Sequence, residues 1–295
     1  MRLALTLVAR DLDGLQNALP AALEAVVSAG RPVSDTVILG EGAADIFVEG
    51  EGPAGLREYA RRALERQAVD FCVQPAEGRR KRLLIADMDS TIIGCECLDE
   101  LADFAGLKQE IASITARAMA GEIAFEGALR ERVARLKGLG LDALRRTYEE
   151  RVRLNPGART LVRTMNAHGA RCLLVSGGFD FFTSKVAEAA GFASHRANRL
   201  LDDGSSLTGE VAEPILGRAA KLQALQEEAA ALGVGLEETL AVGDGANDLA
   251  MIEAAGLGVA YRAKPLVAAQ ADAAVDHIDL TALLYFQGYG AEAFV

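Results

Sequence analysis

Asp87-Met88-Asp89-Ser90-Thr91 follows directly on the apolar run Leu83-Leu84-Ile85-Ala86, so two carboxylates two positions apart stand where a buried strand gives way to a loop. A carboxylate can attack phosphorus and carry a phospho-aspartyl intermediate when a cation manages its charge, which gives Asp87 the chemistry of a nucleophile. Asp89 is placed to move protons for a leaving group and then for water. Two further apolar runs end in the same manner. Residues 172–175 lead into Ser176-Gly177-Gly178, a hydroxyl followed by unshielded backbone N–H groups that suit a phosphate. Residues 240–242 lead into Gly243-Asp244-Gly245-Ala246-Asn247-Asp248, which adds two carboxylates and an amide in a tight loop. Asp87 and Asp244 together suit Mg²⁺, which takes one or two carboxylates and completes its shell with water and phosphate oxygens.

For these groups to meet, the three runs must be neighbouring strands. Short, wholly apolar strands separated by long helical stretches are the pattern of a parallel α/β sheet covered on both faces. In such a sheet ligands bind beyond the carboxyl ends of the strands, which is where Asp87, Ser176 and Asp244 fall. Between the first two strands the spacing predicts a helical insertion over about 97–154, with its one obvious break near Lys137-Gly138-Leu139-Gly140, closed by Asn155-Pro156-Gly157. Residues 198–211, with Asp202-Asp203-Gly204 in the middle, read as a β-hairpin.

Ahead of this region, residues 1–76 alternate as strand, helix, strand, strand, helix, strand, the ferredoxin-like α+β order. Pro75-Ala76-Glu77-Gly78-Arg79-Arg80-Lys81-Arg82 is polar and basic and is the expected boundary, leaving 82–295 as the second domain. Gly50-Glu51-Gly52-Pro53-Ala54-Gly55 matches a dinucleotide-loop string, but Glu51 would repel a pyrophosphate and a helix-starting turn explains it better.

Over 82–295 the chain resembles the haloacid dehalogenase-like phosphatases. Asp87-x-Asp89-x-Thr91, Ser176, Lys221 and Gly243-Asp244-x-x-Asn247-Asp248 match that family's four motifs in order. The run Asp-Met-Asp-Ser-Thr with Glu96 after it, then Ser-Gly-Gly-Phe-Asp at 176–180 and Ala-Asn-Arg-Leu at 197–200, is similar to the phosphoserine phosphatases within it. The resemblance implies a Rossmann-like core whose helical insertion is a cap over the substrate, O-phospho-L-serine. It implies Mg²⁺ on Asp87, Asp244 and the backbone carbonyl of Asp89, with Ser176, Gly177, Lys221 and Asn247 on the phosphate. Glu96 would meet the substrate ammonium and Arg132 its carboxylate, with Met119 and Phe125 lining the cap, and Asp248 would orient Lys221 or the metal shell. Another small phosphometabolite, such as phosphothreonine or phosphohomoserine, and phosphotransfer instead of hydrolysis, are the alternatives within this chemistry. A regulatory amino-acid-binding protein with a vestigial phosphatase domain is the alternative outside it. Residues 1–76 resemble the ACT modules that sense amino acids, with Asp11-Leu12-Asp13-Gly14-Leu15 in the place of their first turn; a structural or homodimer-forming role is the plainer reading.

Composition narrows the setting. A net charge of −11 over 295 residues offers no basic face for nucleic acid, and no apolar run reaches membrane-spanning length. The four cysteines form no zinc or disulfide framework, which points to a reduced, cytoplasmic protein. The three histidines, 168, 195 and 277, fit no metal or triad spacing and read as structural or surface residues.

Overall fold

The three apolar runs lie side by side as parallel strands near the middle of a ten-stranded sheet. The computed structural model describes residues 1–119 and 122–295. In chain order, β1 (Arg2–Ala9), α1 (Leu12–Ser28), β2 (Val33–Gly40), β3 (Ala43–Glu49), α2 (Pro53–Leu64) and β4 (Val69–Pro75) make the ferredoxin-like unit. The core begins with β5 (Leu83–Ala86), followed by four cap helices: α3 (Cys97–Phe104), α4 (Lys108–Met119), α5 (Phe125–Arg135) and α6 (Leu141–Arg151). Next come α7 (Ala158–Ala167), β6 (Arg171–Phe179), α8 (Asp180–Ala190) and β7 (Ser194–Asn198), then the hairpin β8 (Leu200–Asp202) and β9 (Leu207–Val211). The chain closes with α9 (Arg218–Leu232), β10 (Thr239–Gly243), α10 (Leu249–Ala254), β11 (Leu257–Tyr261), α11 (Pro265–Gln270), β12 (Ala273–Val275) and α12 (Ala282–Phe286).

The strand order is β2-β3-β1-β4-β12-β11-β10-β5-β6-β7, with β12 through β7 parallel and the first four antiparallel. Every residue of β5, β10 and β11 is buried, as a parallel strand covered on both faces requires. One face packs against α9, α10 and α11 through Ala224, Leu225, Met251, Ile252 and Val267. The other packs against α7, α8 and the cap through Leu161, Val162, Phe182 and Leu101. The order of strand addition reverses between β5 and β10, since β6 is added on one side of β5 and β10 on the other. That crevice, beyond the ends of β5 and β10, is the switch point where α/β sheets bind ligands.

The expected boundary is not a free linker. Strand β4 pairs antiparallel with β12 at Phe71 and Ala274, so one sheet runs through both units. Gln74 Nε2 donates to the Phe286 carbonyl at 2.6 Å, and the Asp70 carboxylate accepts the backbone N–H groups of Asp276, His277 and Ile278. Arg79 and Lys81 look like solvated charges in sequence, yet both are drawn inward by partners. Arg79 Nη2 meets the fully buried Asp45 at 2.6 Å, and Lys81 Nζ donates to the Glu237 carbonyl at 2.7 Å.

Three local expectations change. The cap breaks at Gly106, with φ +74°, and again before Phe125, as well as near Gly138. Asn198 ends β7 in the main sheet rather than starting the hairpin. The glycine string at 50–55 does start a helix, with Pro53 at the first position of α2, and Arg31 fills the space beside Gly50 that a Cβ would need. Arg31 also donates to the Gly52 carbonyl at 3.2 Å.

Candidate active site

At the end of β5 the backbone N–H of Asp87 donates to the carbonyl of Val242 on β10, which locks the two strand ends together. Asp87 is buried, and its Oδ1 lies 2.6 Å from Lys221 Nζ. Lys221 reaches up from the first turn of α9, and its ammonium also donates to Asp248 Oδ1 at 2.5 Å. Asp248 Oδ2 in turn accepts the backbone N–H groups of Asp244 and Gly245 at 3.1 and 2.9 Å. One ammonium thus ties the β5 loop to the β10 loop. Burial works against its charge, yet Asp87 and Asp248 on either side raise the lysine pKa above the ordinary value.

Asp87, Asp244 and Asp248 each offer an oxygen within 4.8 Å of the others. Burial pushes the Asp87 carboxyl well above its usual range and neighbouring Asp248 adds to that. Asp244 rises to about 6, chiefly through burial and then through Asp248. One ammonium does not balance these carboxylates, and a divalent cation would. The donor set fits such an ion: all hard oxygens, with Asp248 already committed to Lys221 and the loop backbone, leaving Asp87 and Asp244 as the carboxylates to hold it. Thr91 Oγ1 donates to Asp244 Oδ1 at 3.0 Å and so fixes that carboxylate.

The Asp89 side chain turns away from this cluster. Its Oδ1 accepts the Cys97 backbone N–H at 3.1 Å, and Oδ2 stands 3.4 Å from the Ser176 hydroxyl. Burial, and then the charge of Glu96, raise its pKa to about 7, so a proton is available near neutrality. The turn that follows puts Ser90 in a left-handed conformation, φ +58°, and its hydroxyl donates to Glu96 Oε1 at 2.7 Å. Strain of this kind in a non-glycine residue is held only where the surroundings over-determine it.

Ser176, Gly177, Lys221 and Asn247 line one narrow pocket, together with Phe125 from the cap and Leu216, Gly217 and Arg218 from the loop before α9. The Phe125 ring lies over Gly177, where an added Cβ would meet it at 3.3 Å, and Glu126 stands closer still to Gly217, at 2.8 Å by the same measure. The cap therefore rests on Gly177 at the end of β6 and on the loop before α9. Arg132 on α5 is partly buried, which lowers its pKa, while Asp99 and Glu96 favour its charge. Its Nε donates to the Ala128 carbonyl at 3.3 Å. Met119 ends α4, and its side chain lies outside the described residues.

Two contributors escape the sequence reading. Asn198 Nδ2 donates to the Gly177 carbonyl at 2.8 Å while its Oδ1 accepts the Leu216 N–H at 2.7 Å, so it braces both walls of the pocket. The hairpin holds the cap: Gly138 N–H donates to Leu207, Leu207 N–H to Leu139, and Leu141 N–H to Ser205, all to carbonyls at 2.8–3.0 Å. Gly209, at φ +82°, lies against Ala134 and Lys137 of the cap, where a side chain would collide. The histidines stay elsewhere: His168 packs on Tyr289, and His195 meets Thr183.

Residues 84–253 match the model of the haloacid dehalogenase-like hydrolases. A phosphoserine phosphatase of Archaeoglobus fulgidus is 41% identical over 232 residues, 78% of this chain and 67% of that one. One of Methanocaldococcus jannaschii is 38% identical over 70% of this chain and 98% of its own length, so it consists almost wholly of the matched core. A crystal structure of a HAD family hydrolase from Salmonella enterica serovar Typhi superposes with a TM-score of 0.83 at 28% identity, covering 97% of this chain and 98% of that one. With three motif segments at adjoining strand ends, the fourth on α9 beside them, and this identity spread across the core, the chain belongs to the haloacid dehalogenase-like hydrolases and, within them, to the phosphoserine phosphatases.

Proposed function

We propose that the chain hydrolyses O-phospho-L-serine to L-serine and phosphate, the last step of serine biosynthesis, through a phospho-aspartyl intermediate on Asp87. The observation that carries this reading is the Lys221 ammonium, buried and clamped between Asp87 and Asp248 in the crevice beyond β5 and β10. The buried ammonium works against the burial and the Asp248 charge that raise the Asp87 pKa, favouring the ionised nucleophile, and it attracts a phosphate. Asp87 attacks phosphorus. Ser176, the Gly177 backbone, Lys221 and Asn247 hold the phosphate oxygens, and the family's divalent metal, here Mg²⁺, would sit on Asp87, Asp244 and the Asp89 backbone and neutralise charge as phosphorus is transferred. Asp89, with its proton retained near neutrality, gives it to the departing serine oxygen; as the carboxylate it then takes one from the water that cleaves phospho-Asp87.

Glu96 at the entry to the cap and Arg132 within it carry opposite charges, and Glu96 favours the charge of Arg132; the pair would match the ammonium and carboxylate of a phosphorylated amino acid, and a guanidinium suits a carboxylate geometrically. The Phe125 contact with Gly177 supports a cap that closes over bound substrate and excludes water. The N-terminal unit, with its ferredoxin-like order, supports an amino-acid effector site or a homodimer contact. Four free cysteines, and the absence among the described residues of any helix long and apolar enough to cross a membrane, suit a cytoplasmic setting.

Phosphate release with Mg²⁺ from L-phosphoserine, phosphothreonine, phosphohomoserine, sugar phosphates and an aryl phosphate tests the reading. A clear preference for phosphoserine in kcat/KM is expected. A flat profile would leave the chemistry and overturn the substrate, and no release from any compound would overturn both.

A further inference from the structure

Cys95 and Cys97 flank Glu96 at the point where the chain leaves β5 for the cap, two free thiols separated by a single residue. Cys95 is half-buried and reachable from solvent, whereas Cys97 is 1% exposed. The other two cysteines, Cys72 and Cys172, are buried and lie apart from the site. Each residue of the Cys-Glu-Cys segment also touches the site described above. The Cys95 carbonyl accepts the N–H of Ser90, the residue held in the left-handed conformation. Glu96 accepts the Ser90 hydroxyl, and the Cys97 N–H holds Asp89 Oδ1 at 3.1 Å.

We propose that Cys95 and Cys97 form a reversible thiol–disulfide switch, oxidised by a peroxide, that turns the site off by displacing Glu96 and Asp89. Cys95 sulfur attacks one peroxide oxygen, the O–O bond breaks, and the released hydroxide leaves as water, giving a sulfenic acid at Cys95. Cys97 sulfur then attacks the Cys95 sulfur, the S–O bond breaks, and the hydroxyl departs with the Cys97 thiol proton as a second water. Two electrons pass from the thiol pair to the peroxide. The neighbouring Cys97 holds the Cys95 thiol below its ordinary pKa, which favours the first step at the accessible sulfur, and the second follows because Cys97 is its neighbour across one residue. A bridge across a single intervening residue draws Cys97 back toward Cys95, takes its N–H away from Asp89, and rotates Glu96 out of line with Ser90. So short a bridge is also strained, and strained disulfides are the readily reduced ones, which makes the change reversible.

The full-length protein, treated with hydrogen peroxide in the absence of substrate, is followed by mass spectrometry and by phosphate release from phosphoserine. The peptide carrying both cysteines loses two hydrogen masses, activity falls on the order of a hundredfold in step with that loss, and dithiothreitol restores both; the fall is the size expected when a proton-transfer group is misplaced. Cys95→Ser, which lies outside the catalytic groups, keeps its activity through the same treatment. Cys97→Ala accumulates a dimedone-reactive sulfenic acid at Cys95 and forms no bridge. Inactivation of Cys95→Ser at the wild-type rate, or a bridge that forms with activity intact, would overturn the switch. The mass change is read without reference to turnover, and the activity of the untreated protein separates failure of the switch from failure of the proposed reaction.

Discussion

Lys221 sits where two carboxylates would otherwise repel each other, and that position orders the behaviour of the residues around it. Asp87→Asn keeps the side-chain shape and removes the nucleophile, so the protein should fold as before and turn over no substrate; more than trace phosphate release would contradict the assignment. Asp89→Asn should lower kcat by about 10²- to 10⁴-fold with little change in KM, the range for a lost proton-transfer group. The protonation of Asp89 sets a pH limit as well. Its pKa is raised to about 7 by burial and by Glu96, so the acid form needed for serine departure is present below that value and lost above it. The alkaline limb of kcat/KM should therefore begin near 7. Glu96→Gln should move it to lower pH by removing a nearby negative charge, and an unmoved limb would assign it to another group. Asp87, Asp89, Ser176 and Asp244 stood out from residue type and spacing, because each lies at or just past the end of an apolar strand, whereas Lys221 stood out only by its place in the order of the family's motifs. Thr91 and Asn198 were quoted only as members of motifs. Their tasks, fixing Asp244 and bracing Gly177 against Leu216, depend on hydrogen bonds between chain segments 18 to 153 residues apart, which leave no local pattern.

At the scale of elements, the cap covers the pocket and the hairpin carries the cap. Arg132 lies on α5, partly buried and near the charges of Asp99 and Glu96, and Phe125 at the start of that helix covers Gly177. Arg132→Ala should cut kcat/KM for phosphoserine by at least about tenfold, the loss of one charge-assisted contact of roughly 1.5–3 kcal/mol. An aryl phosphate without a carboxylate should be affected far less, and equal losses on both substrates would remove Arg132 from recognition. The cap was visible in the sequence as a helical insertion, and the hairpin as a turn between short strands. Their mutual attachment was not, because Gly138, Leu139 and Leu141 meet Ser205 and Leu207 through backbone groups that any residue possesses. The break at Gly106 was missed for a related reason: a glycine in a polar, helix-prone stretch signals a stop only once its positive φ is known.

For the molecule as a whole, the N-terminal unit is bonded into the core. Removing Arg79 leaves Asp45 buried with a charge that Thr6 alone must satisfy, since Thr6 Oγ1 donates to its other oxygen at 2.6 Å. Arg79→Ala should lower stability by about 3–5 kcal/mol, the cost of breaking a buried pair from one side, read as a drop in the urea midpoint. Losses below about 1 kcal/mol would show that water reaches Asp45. The six-element ferredoxin-like order was plain in the sequence from its alternating strands and helices. That β4 would join β12 was not, because the pairing rests on Phe71 and Ala274, two unremarkable residues more than 200 positions apart.

That junction has a consequence for the core as an isolated piece. With β4 in place, the ladder of N–H and C=O groups along the outer side of β12 has a neighbour, and Val8, Leu39, Ala43 and Cys72 share the core's own apolar cluster. Cut the chain at residue 82 and β12 becomes an open edge beside a bared apolar patch, which is a template for another chain to add a strand. The truncated core should sediment as oligomers where the full chain does not gain this contact, even though a relative such as the Methanocaldococcus jannaschii protein consists almost wholly of the matched core. In this chain, protection of the catalytic core from edge-to-edge aggregation falls to the N-terminal unit.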